Sequence, residues 1–201
     1  MIDRHVLPLQ RSVLRQPARW IASRGISADQ VSLIGFLLGI CAVPAIWQEQ
    51  YTAGLVLILL NRLFDGLDGA VARLVGPTDR GAFLDIALDF AFYSAIPLAF
   101  ALANPHANAL AAATLITSFV GTGSSFLAFS AVAAKRGLSA TWYPQKGIYY
   151  LGGLAEGAET IGLFIAMCVW PELFAELAYL FSVLCFVTTL TRWHQGWKAF
   201  T

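Results

Sequence analysis

The chain has 201 residues with a formal net charge of +1; 58% of the residues are hydrophobic and only 12% are charged. Soluble domains carry about 25% charged residues, so this composition excludes an ordinary soluble protein and is typical of a membrane protein. The three cysteines lie in separate apolar runs, which excludes a disulfide framework. The sequence has no Walker loop and no nucleic-acid motif, so a nucleic-acid partner is not expected.

The first predicted element is an N-terminal arm, residues 1–26, which is basic and amphipathic. Arg11, Arg15 and Arg19 recur at helical spacing. The apolar residues of the arm that can lie in lipid are Val13, Leu14, Trp20 and Ile21. Pro17 argues against one uninterrupted helix, although a helix can begin at that proline and end at Gly25. We expect an interfacial helix on the cytoplasmic leaflet; the alternative is a solvated positive tail.

Six apolar segments that can cross the hydrocarbon core follow the arm. The predicted spans are 31–48, 52–75, 81–103, 108–132, 148–169 and 173–192. Ser27 and Gln30 have capping-box spacing just before the first span. The sequence therefore predicts an all-α membrane protein with one domain, residues 1–201, in which six transmembrane helices follow an amphipathic interfacial helix.

The positive charges predict how these spans are oriented. All lysines and arginines except Arg62 lie at the two termini or flank the second and fourth connections: Arg4, Arg11, Arg15, Arg19, Arg24, Arg73, Arg80, Lys135, Arg136, Lys146, Arg192 and Lys198. The positive-inside rule assigns these parts to the cytoplasm. We expect a multi-pass protein, in a bacterial inner membrane, with both termini in the cytoplasm.

Four aspartates lie inside the second and third spans, where each charge costs roughly 2.5–3.5 kcal/mol. Asp65 and Asp68 share one helix face, and Asp85 and Asp89 share another. The short connection predicts antiparallel neighbouring helices, whose carboxylates meet at matching heights. Hard divalent cations prefer carboxylate oxygens, and two of them would neutralise the cluster and form a clamp for phosphoryl chemistry.

Other interpretations of these aspartates remain open. They can be hydrogen-bonded within the bundle or partly protonated, or they can be the conduction site of a small cation or proton transporter. Gly69, Ala72 and Gly81 accompany the carboxylates on the same faces. Such small residues leave room for a ligand or for a facing backbone, which favours a binding site.

The stretch "DGLDGAVAR", followed by Gly81, Asp85 and Asp89, resembles the signature of the CDP-alcohol phosphatidyltransferase family. That signature is D-x-x-D-G-x-x-A-R, a spacer, and then G-x-x-x-D-x-x-x-D. Its fixed positions are all present, as Asp65, Asp68, Gly69, Ala72, Arg73, Gly81, Asp85 and Asp89. Two departures are visible. The spacer "LVGPTDR" has seven residues where the family usually has eight, and Ala28 and Asp29 stand where Pro and Asn are common.

The resemblance implies a role for each of these residues. Asp65, Asp68 and Asp85 would be the core ligands of two Mg²⁺ or Mn²⁺ ions, and Asp89 would complete the cluster and act as the general base. The CDP-binding set would be Asp65, Gly69, Ala72, Arg73 and Gly81. The donor would be CDP-diacylglycerol or another CDP-alcohol, and a small alcohol would accept the substituted phosphate at a cytoplasmic active site. A lipid-binding relative without turnover is the remaining alternative.

The acceptor pocket can be sought on the fifth span and the fourth connection. Glu159 is at the estimated depth of Arg62, which predicts a structural ion pair, and Glu156 is at the height of the aspartates. The basic candidates of the pocket are Lys135, Arg136 and Lys146. A basic pocket would suit a phosphorylated acceptor, whereas an acidic one would suit an amino alcohol or a neutral polyol, and the sequence does not choose between them.

One further feature bears on assembly. Gly121 and Ser125 have the small-xxx-small spacing that transmembrane helix interfaces use, which allows a homodimer. The histidines His5, His106 and His194 have no ligand spacing and are expected to be solvated.

Overall fold

The computed structural model describes residues 3–137 and 153–201, and this part of the chain is helical with no β-strand. In chain order the helices are α1 (Asp3–Ser23), α2 (Ala28–Ile40), α3 (Ala42–Trp47), α4 (Tyr51–Val75), α5 (Asp79–Ala103), α6 (Pro105–Lys135), α7 (Gly157–Val169), a short 3₁₀ helix (Pro171–Leu173) and α8 (Phe174–Ala199). The predicted all-α membrane class is confirmed. Four helical segments are long and apolar enough to cross a membrane: Ala28–Trp47, Asp79–Ala103, Pro105–Lys135 and Pro171–Ala199.

The other two predicted spans differ from a simple apolar crossing. Helix α4 is as long as α5, but it carries too many charged residues to be identified as a membrane-spanning helix by composition alone. Helix α7 has 13 residues and begins at Gly157, whereas the sequence predicted a helix from residue 148. Among the described residues, 153–156 precede this helix in a non-helical segment. The count of six crossings stays a prediction.

Helix α1 runs without interruption past Pro17, contrary to the expected break at that residue. Leu14 and Ala18 are buried one turn apart and pack against Leu67 and Val71 of α4. Most helical stability in proteins comes from such packing, which here outweighs the backbone hydrogen bond that the proline removes. One face of the arm is therefore covered by protein, while Val13 and Trp20 remain exposed.

Helix α2 packs against both α4 and α5, which have little direct contact with each other. The predicted neighbours α4 and α5 meet through polar side chains, since Nη2 of Arg62 lies 2.8 Å from Oδ1 of Asp89, while their backbones stay further apart. The reason lies in the glycines of α2. A Cβ atom at Gly35 would lie 2.6 Å from the Cβ atom of Phe64, and one at Gly39 would lie 2.9 Å from the ring of Phe92. Without side chains at these positions, α2 fits between the two helices.

The predicted capping box starts α2 as expected. The backbone N–H of Ser27 donates to Oε1 of Gln30 at 2.9 Å, and the backbone N–H of Gln30 donates to Oγ of Ser27 at 3.3 Å. Because this cap sets where α2 begins, it also sets the height of the residues that α2 presents to α4 and α5.

The apolar core has two main parts. The larger contains Phe92, Phe100, Phe119 and Phe164 and includes residues of every helix from α3 to α8. The smaller joins α1, α2 and α4 around Val71. On α4, Asn61, Arg62 and Asp65 lie along the chain between Ile58 of the larger part and Leu67 of the smaller part, so apolar packing holds this helix on both sides of these polar residues.

The small residues of α6 serve packing within the chain. Ser125 is buried, and a Cβ atom at Gly121 would lie 3.1 Å from Oγ1 of Thr189 on α8. Gly121 therefore packs against α8 of the same chain, and a homodimer stays a prediction. Arg192 of α8 is also buried, and its Nη1 donates to the carbonyl oxygen of Thr122 at 3.0 Å.

Candidate metal centre

Three of the four aspartates meet in one cluster. Asp65, Asp68 and Asp85 each offer a carboxylate oxygen, and these oxygens lie within 4.8 Å of one another. Asp65 and Asp68 are three residues apart on α4, so they project from one face of the helix. Asp68 is buried, the side chain of Asp65 is 35% exposed and Asp85 is exposed. The cluster therefore reaches from the protein interior to solvent.

The cluster lines an open cleft between α2, α4 and α5. Its lining residues are Ser32, Gly35, Phe36, Asn61, Arg62, Asp65, Asp68, Asp85, Leu88 and Asp89. The volume in this cleft that solvent can occupy is about 20 Å³, which is room for about one group the size of a water molecule or a bare cation.

Asp89 lines the same cleft but is held separately by an arginine. Its Oδ1 lies 2.8 Å from Nη2 of Arg62, while Nη1 of Arg62 lies 3.6 Å from Oδ2 of Asp65. The guanidinium group is further anchored by Asn61, whose Oδ1 accepts hydrogen bonds from Nε at 2.8 Å and from Nη2 at 2.6 Å. The rings of Phe92 and Tyr93 lie 5.0 and 5.5 Å from its central carbon.

The structure thereby corrects the predicted Arg62–Glu159 pair, because Arg62 forms its ion pairs with Asp65 and Asp89. The depth argument assumed that Glu159 lies in the middle of a long helix, but α7 begins at Gly157 and Glu159 is in its first turn. Glu156 precedes this helix, and its Oε1 accepts a hydrogen bond from the backbone N–H of Gly153 at 2.8 Å.

The sequence assigned no role to two polar residues that support the cleft. The hydroxyl group of Ser32 donates to Oδ2 of Asp68, so α2 contributes directly to the carboxylate cluster. Nδ2 of Asn61 donates to the carbonyl oxygen of Gly35 at 2.9 Å, which orients the amide oxygen toward Arg62. A signal existed for both, since each is a polar residue within an apolar helix, one turn from a charged residue.

The nucleotide-binding residues predicted from the resemblance lie around the ends of α4 and α5. Of that set only Asp65 lines the cleft itself. A Cβ atom at Gly69 would lie 3.3 Å from Nη1 of Arg73, so this glycine leaves space for the arginine that follows it by one turn. Ala72 continues the same face of α4, and Gly81 lies in the first turn of α5, where its backbone N–H donates to Oγ1 of Thr78 at 3.0 Å.

Of the candidate basic residues of the acceptor pocket, Lys135 and Arg136 do not line the cleft. Arg136 donates from Nη2 to the carbonyl oxygen of Phe200 at 2.6 Å, and its guanidinium lies over the ring of that residue. Lys135 is the last residue of α6. Lys146 lies outside the described residues.

The chain matches the sequence model of the CDP-alcohol phosphatidyltransferase family over residues 26–193. It is 50% identical to the inner membrane protein YnjF of Escherichia coli, over 98% of this chain and 96% of that protein. It is 28% identical to an archaetidylinositol phosphate synthase of Pyrococcus horikoshii, over 96% and 95% of the two chains. Its fold is similar to that of the phosphatidylinositol phosphate synthase of Mycobacterium tuberculosis with CDP-DAG bound (TM-score 0.70, 23% identity, 92% and 94% coverage).

Proposed function

Because the chain belongs to the CDP-alcohol phosphatidyltransferase family, we propose that it transfers a substituted phosphate group from CDP-diacylglycerol to the hydroxyl group of a small alcohol, with release of CMP. The observation that carries this proposal is the meeting of Asp65, Asp68 and Asp85 within 4.8 Å in an open cleft. A similarly folded phosphatidylinositol phosphate synthase binds CDP-DAG, which supports the choice of donor. A cation or proton transporter would not be expected to match the sequence model of this family.

The donor set of the cleft fits divalent cations of the Mg²⁺ type. The converging ligands are carboxylate oxygens from two helices, and the cleft lining includes no cysteine or histidine. Hard cations prefer such oxygen ligands. We propose that Asp65, Asp68 and Asp85 hold two Mg²⁺ or Mn²⁺ ions, which when bound would neutralise the donor's diphosphate and stabilise the charge that develops during phosphoryl transfer. A related synthase structure contains manganese and citrate.

The residues of this chain have separate roles in the proposed reaction. Asp89 accepts the proton of the acceptor hydroxyl, whose oxygen then forms a bond to the phosphorus on the lipid side of the diphosphate. The bond from that phosphorus to the bridging oxygen breaks, and CMP leaves with the bonding electrons. Gly69, Ala72, Arg73 and Gly81 surround the nucleotide. Phosphoryl transfer depends mainly on positioning and on charge stabilisation, which a rigid carboxylate cleft provides.

We further propose that the cleft and both termini face the cytoplasm, so that the polar alcohol arrives from water while the acyl chains of the donor remain in the lipid. The candidate acceptor residues remain Glu156, Lys135, Arg136 and Lys146. The identity of the acceptor is determined by the following assay and not by these side chains.

The test is an assay of CMP release by the purified protein in detergent. CDP-diacylglycerol is supplied with Mg²⁺ or Mn²⁺ and, in separate reactions, with glycerol 3-phosphate, inositol phosphate, inositol, glycerol or an amino alcohol. We expect release that requires both the metal and one class of alcohol, and that stops with a chelator. Asp68→Asn is the negative control, because Asp68 is the buried member of the cluster. Cation flux into liposomes without CMP release would refute the proposal.

A further inference from the structure

Helix α1 has three distinct faces along residues 13–23, and protein covers one of them. Leu14 and Ala18 are buried against α4, and Ile21 is partly buried beside them. Val13 and Trp20 are 64% and 58% exposed. These two side chains lie within about 20° of each other on a helix of 3.6 residues per turn. A large apolar pair that stays exposed next to a basic face is suited to contact with lipid.

The third face of α1 is basic. Arg15 and Arg19 are exposed and one turn apart, and they lie roughly 120° around the helix from each of the other two faces. Arg24 accompanies the apolar face, with its guanidinium carbon 5.0 Å from the centre of the Trp20 ring. In a helix that lies along a membrane surface, long cationic side chains beside the apolar face reach the phosphate groups of the lipids.

The positive charge of this segment is not balanced within the chain. Residues 1–26 contain five arginines and one acidic residue, Asp3. Within the part of the chain that the structure describes, Arg15 and Arg19 take part in none of the ion pairs. Their charge is therefore available to an anionic partner. Because the neighbouring face is apolar and exposed, the partner that fits both faces is the surface of an anionic membrane and not a soluble anion.

The covered face connects this surface to the candidate metal centre. Its buried residues belong to the same apolar cluster as Leu67 and Val71 of α4. Leu67 directly precedes Asp68, and Val71 follows that aspartate by one turn. Helix α1 therefore braces the turn of α4 that carries the buried carboxylate. Since the other two faces are exposed, forces on them change how firmly α1 covers this turn.

We propose that α1 binds anionic lipid headgroups through Arg15 and Arg19, with Val13 and Trp20 among the acyl chains, and that this contact holds α1 against α4 beside Asp68. Each arginine near an anionic leaflet favours the bound state about fivefold, and salt weakens this attraction. The lipid contact goes beyond the proposed function, whereas its effect on turnover rests on that function.

The test uses the full chain in nanodiscs of phosphatidylcholine, either pure or mixed with phosphatidylserine. Phosphatidylserine is anionic and has no free hydroxyl group, so it cannot itself be the acceptor. Hydrogen exchange of the backbone amides of residues 13–23 measures how often α1 opens, without any reaction. At low salt we expect exchange in the wild type to be about tenfold or more slower with phosphatidylserine, and at high salt we expect this difference to disappear. We expect kcat for CMP release to be several-fold higher in the anionic nanodiscs at low salt.

Three variants show whether the charge on α1 is responsible. Arg15→Gln combined with Arg19→Gln removes the charge, whereas Arg15→Lys combined with Arg19→Lys keeps it. Lys198→Gln removes an exposed cation from α8. We expect the glutamine variant to exchange at the same rate in both lipid mixtures. The lysine variant and Lys198→Gln should keep the difference seen in the wild type, because a surface potential acts on charge.

Two results would overturn the lipid contact: equal exchange of the wild type in both mixtures, or a lipid effect that persists in the glutamine variant. Lipid-dependent exchange with the same kcat in both mixtures would refute the link to turnover. If the wild type released no CMP, the proposed reaction would fail, and the exchange measurement would still decide whether α1 binds anionic lipid.

Discussion

Asp29, near the start of α2, binds Arg80, near the start of α5. Oδ2 of Asp29 lies 2.6 Å from Nε and 2.5 Å from Nη2 of Arg80. Asp29 occupies the position where the family commonly has asparagine, and the sequence did not predict this ion pair. The contact joins two of the three helices that line the cleft.

This ion pair is expected to contribute little to stability, because the side chain of Arg80 is 77% exposed. Exposed ion pairs are typically worth about 0–1 kcal/mol. Asp29→Asn should therefore lower the free energy of unfolding by less than about 1 kcal/mol, with the effect fading as salt is added. Denaturant titration in detergent at low and high salt measures this. A larger loss that is independent of salt would show that Asp29 has a packing role as well.

Ser32→Ala tests the support that α2 gives to the carboxylate cluster. The substitution removes the hydroxyl group that binds Asp68, and the buried carboxylate then loses its fixed orientation. Loss of a partner that orients a metal ligand typically lowers metal affinity about 10–100-fold. We expect a loss of this size in Mn²⁺ binding, measured by calorimetry.

Ser124→Ala is the matched control for this experiment. The hydroxyl groups of Ser32 and Ser124 each donate to a carbonyl oxygen of their own helix, that of Ala28 and that of Gly121. Ser124, however, is exposed on α6. Its removal should leave Mn²⁺ affinity unchanged. Equal affinities for Ser32→Ala and the wild type would mean that Ser32 does not orient the proposed metal ligand.

The helical class and the meeting of the aspartates could be predicted because both depend on local spacing. Asp65 and Asp68 must share a face of any helix that contains them, and the short connection brings the end of α4 to the start of α5. These features need no knowledge of the remaining helices. The signature residues then identified the family, which the match over residues 26–193 confirms.

The partners of Arg62 could not be predicted in the same way, because they depend on how helices far apart in sequence are placed. The depth argument assigned Arg62 to Glu159 on the assumption of a long fifth span, whereas α7 begins only at Gly157. Insertion of α2 between α4 and α5 depends on Gly35 and Gly39, whose role appears only once their neighbours are known. Similarly, Pro17 was expected to break α1, but packing of Leu14 and Ala18 on α4 supports a continuous helix.

Gly39→Ala tests whether the close approach of α2 supports the site. A Cβ atom at this position would lie 2.8 Å from Nδ2 of Asn61 and 2.9 Å from the ring of Phe92. Both neighbours contact Arg62, so the clash should reach the arginine as well as the packing. Overpacking of this kind typically costs about 1–3 kcal/mol. We expect an unfolding free energy lower by that amount and reduced CMP release.

Gly162→Ala is the control for the glycine substitution. Gly162 is in the interior of α7, and a Cβ atom there would meet no other atom within 4 Å. Alanine favours a helix by about 1 kcal/mol over glycine, so this variant should be as stable as the wild type or slightly more stable. If Gly39→Ala behaved in the same way, α2 would have room to move and its approach would not be required.

Asp89→Asn separates proton transfer from binding in the proposed reaction. The amide keeps the shape of the side chain and can still contact Arg62, but it cannot accept the proton of the acceptor hydroxyl. Because general-base catalysis typically contributes about 10²–10⁴-fold, we expect kcat for CMP release to fall by at least about 100-fold. Affinity for CDP-diacylglycerol, measured by calorimetry in detergent with Mn²⁺, should remain within a few-fold of the wild type, because the three clustered carboxylates are intact. Asp68→Asn should instead lose Mn²⁺ binding together with turnover. Near-normal turnover in Asp89→Asn would assign the proton to another acceptor and remove Asp89 from the chemical step.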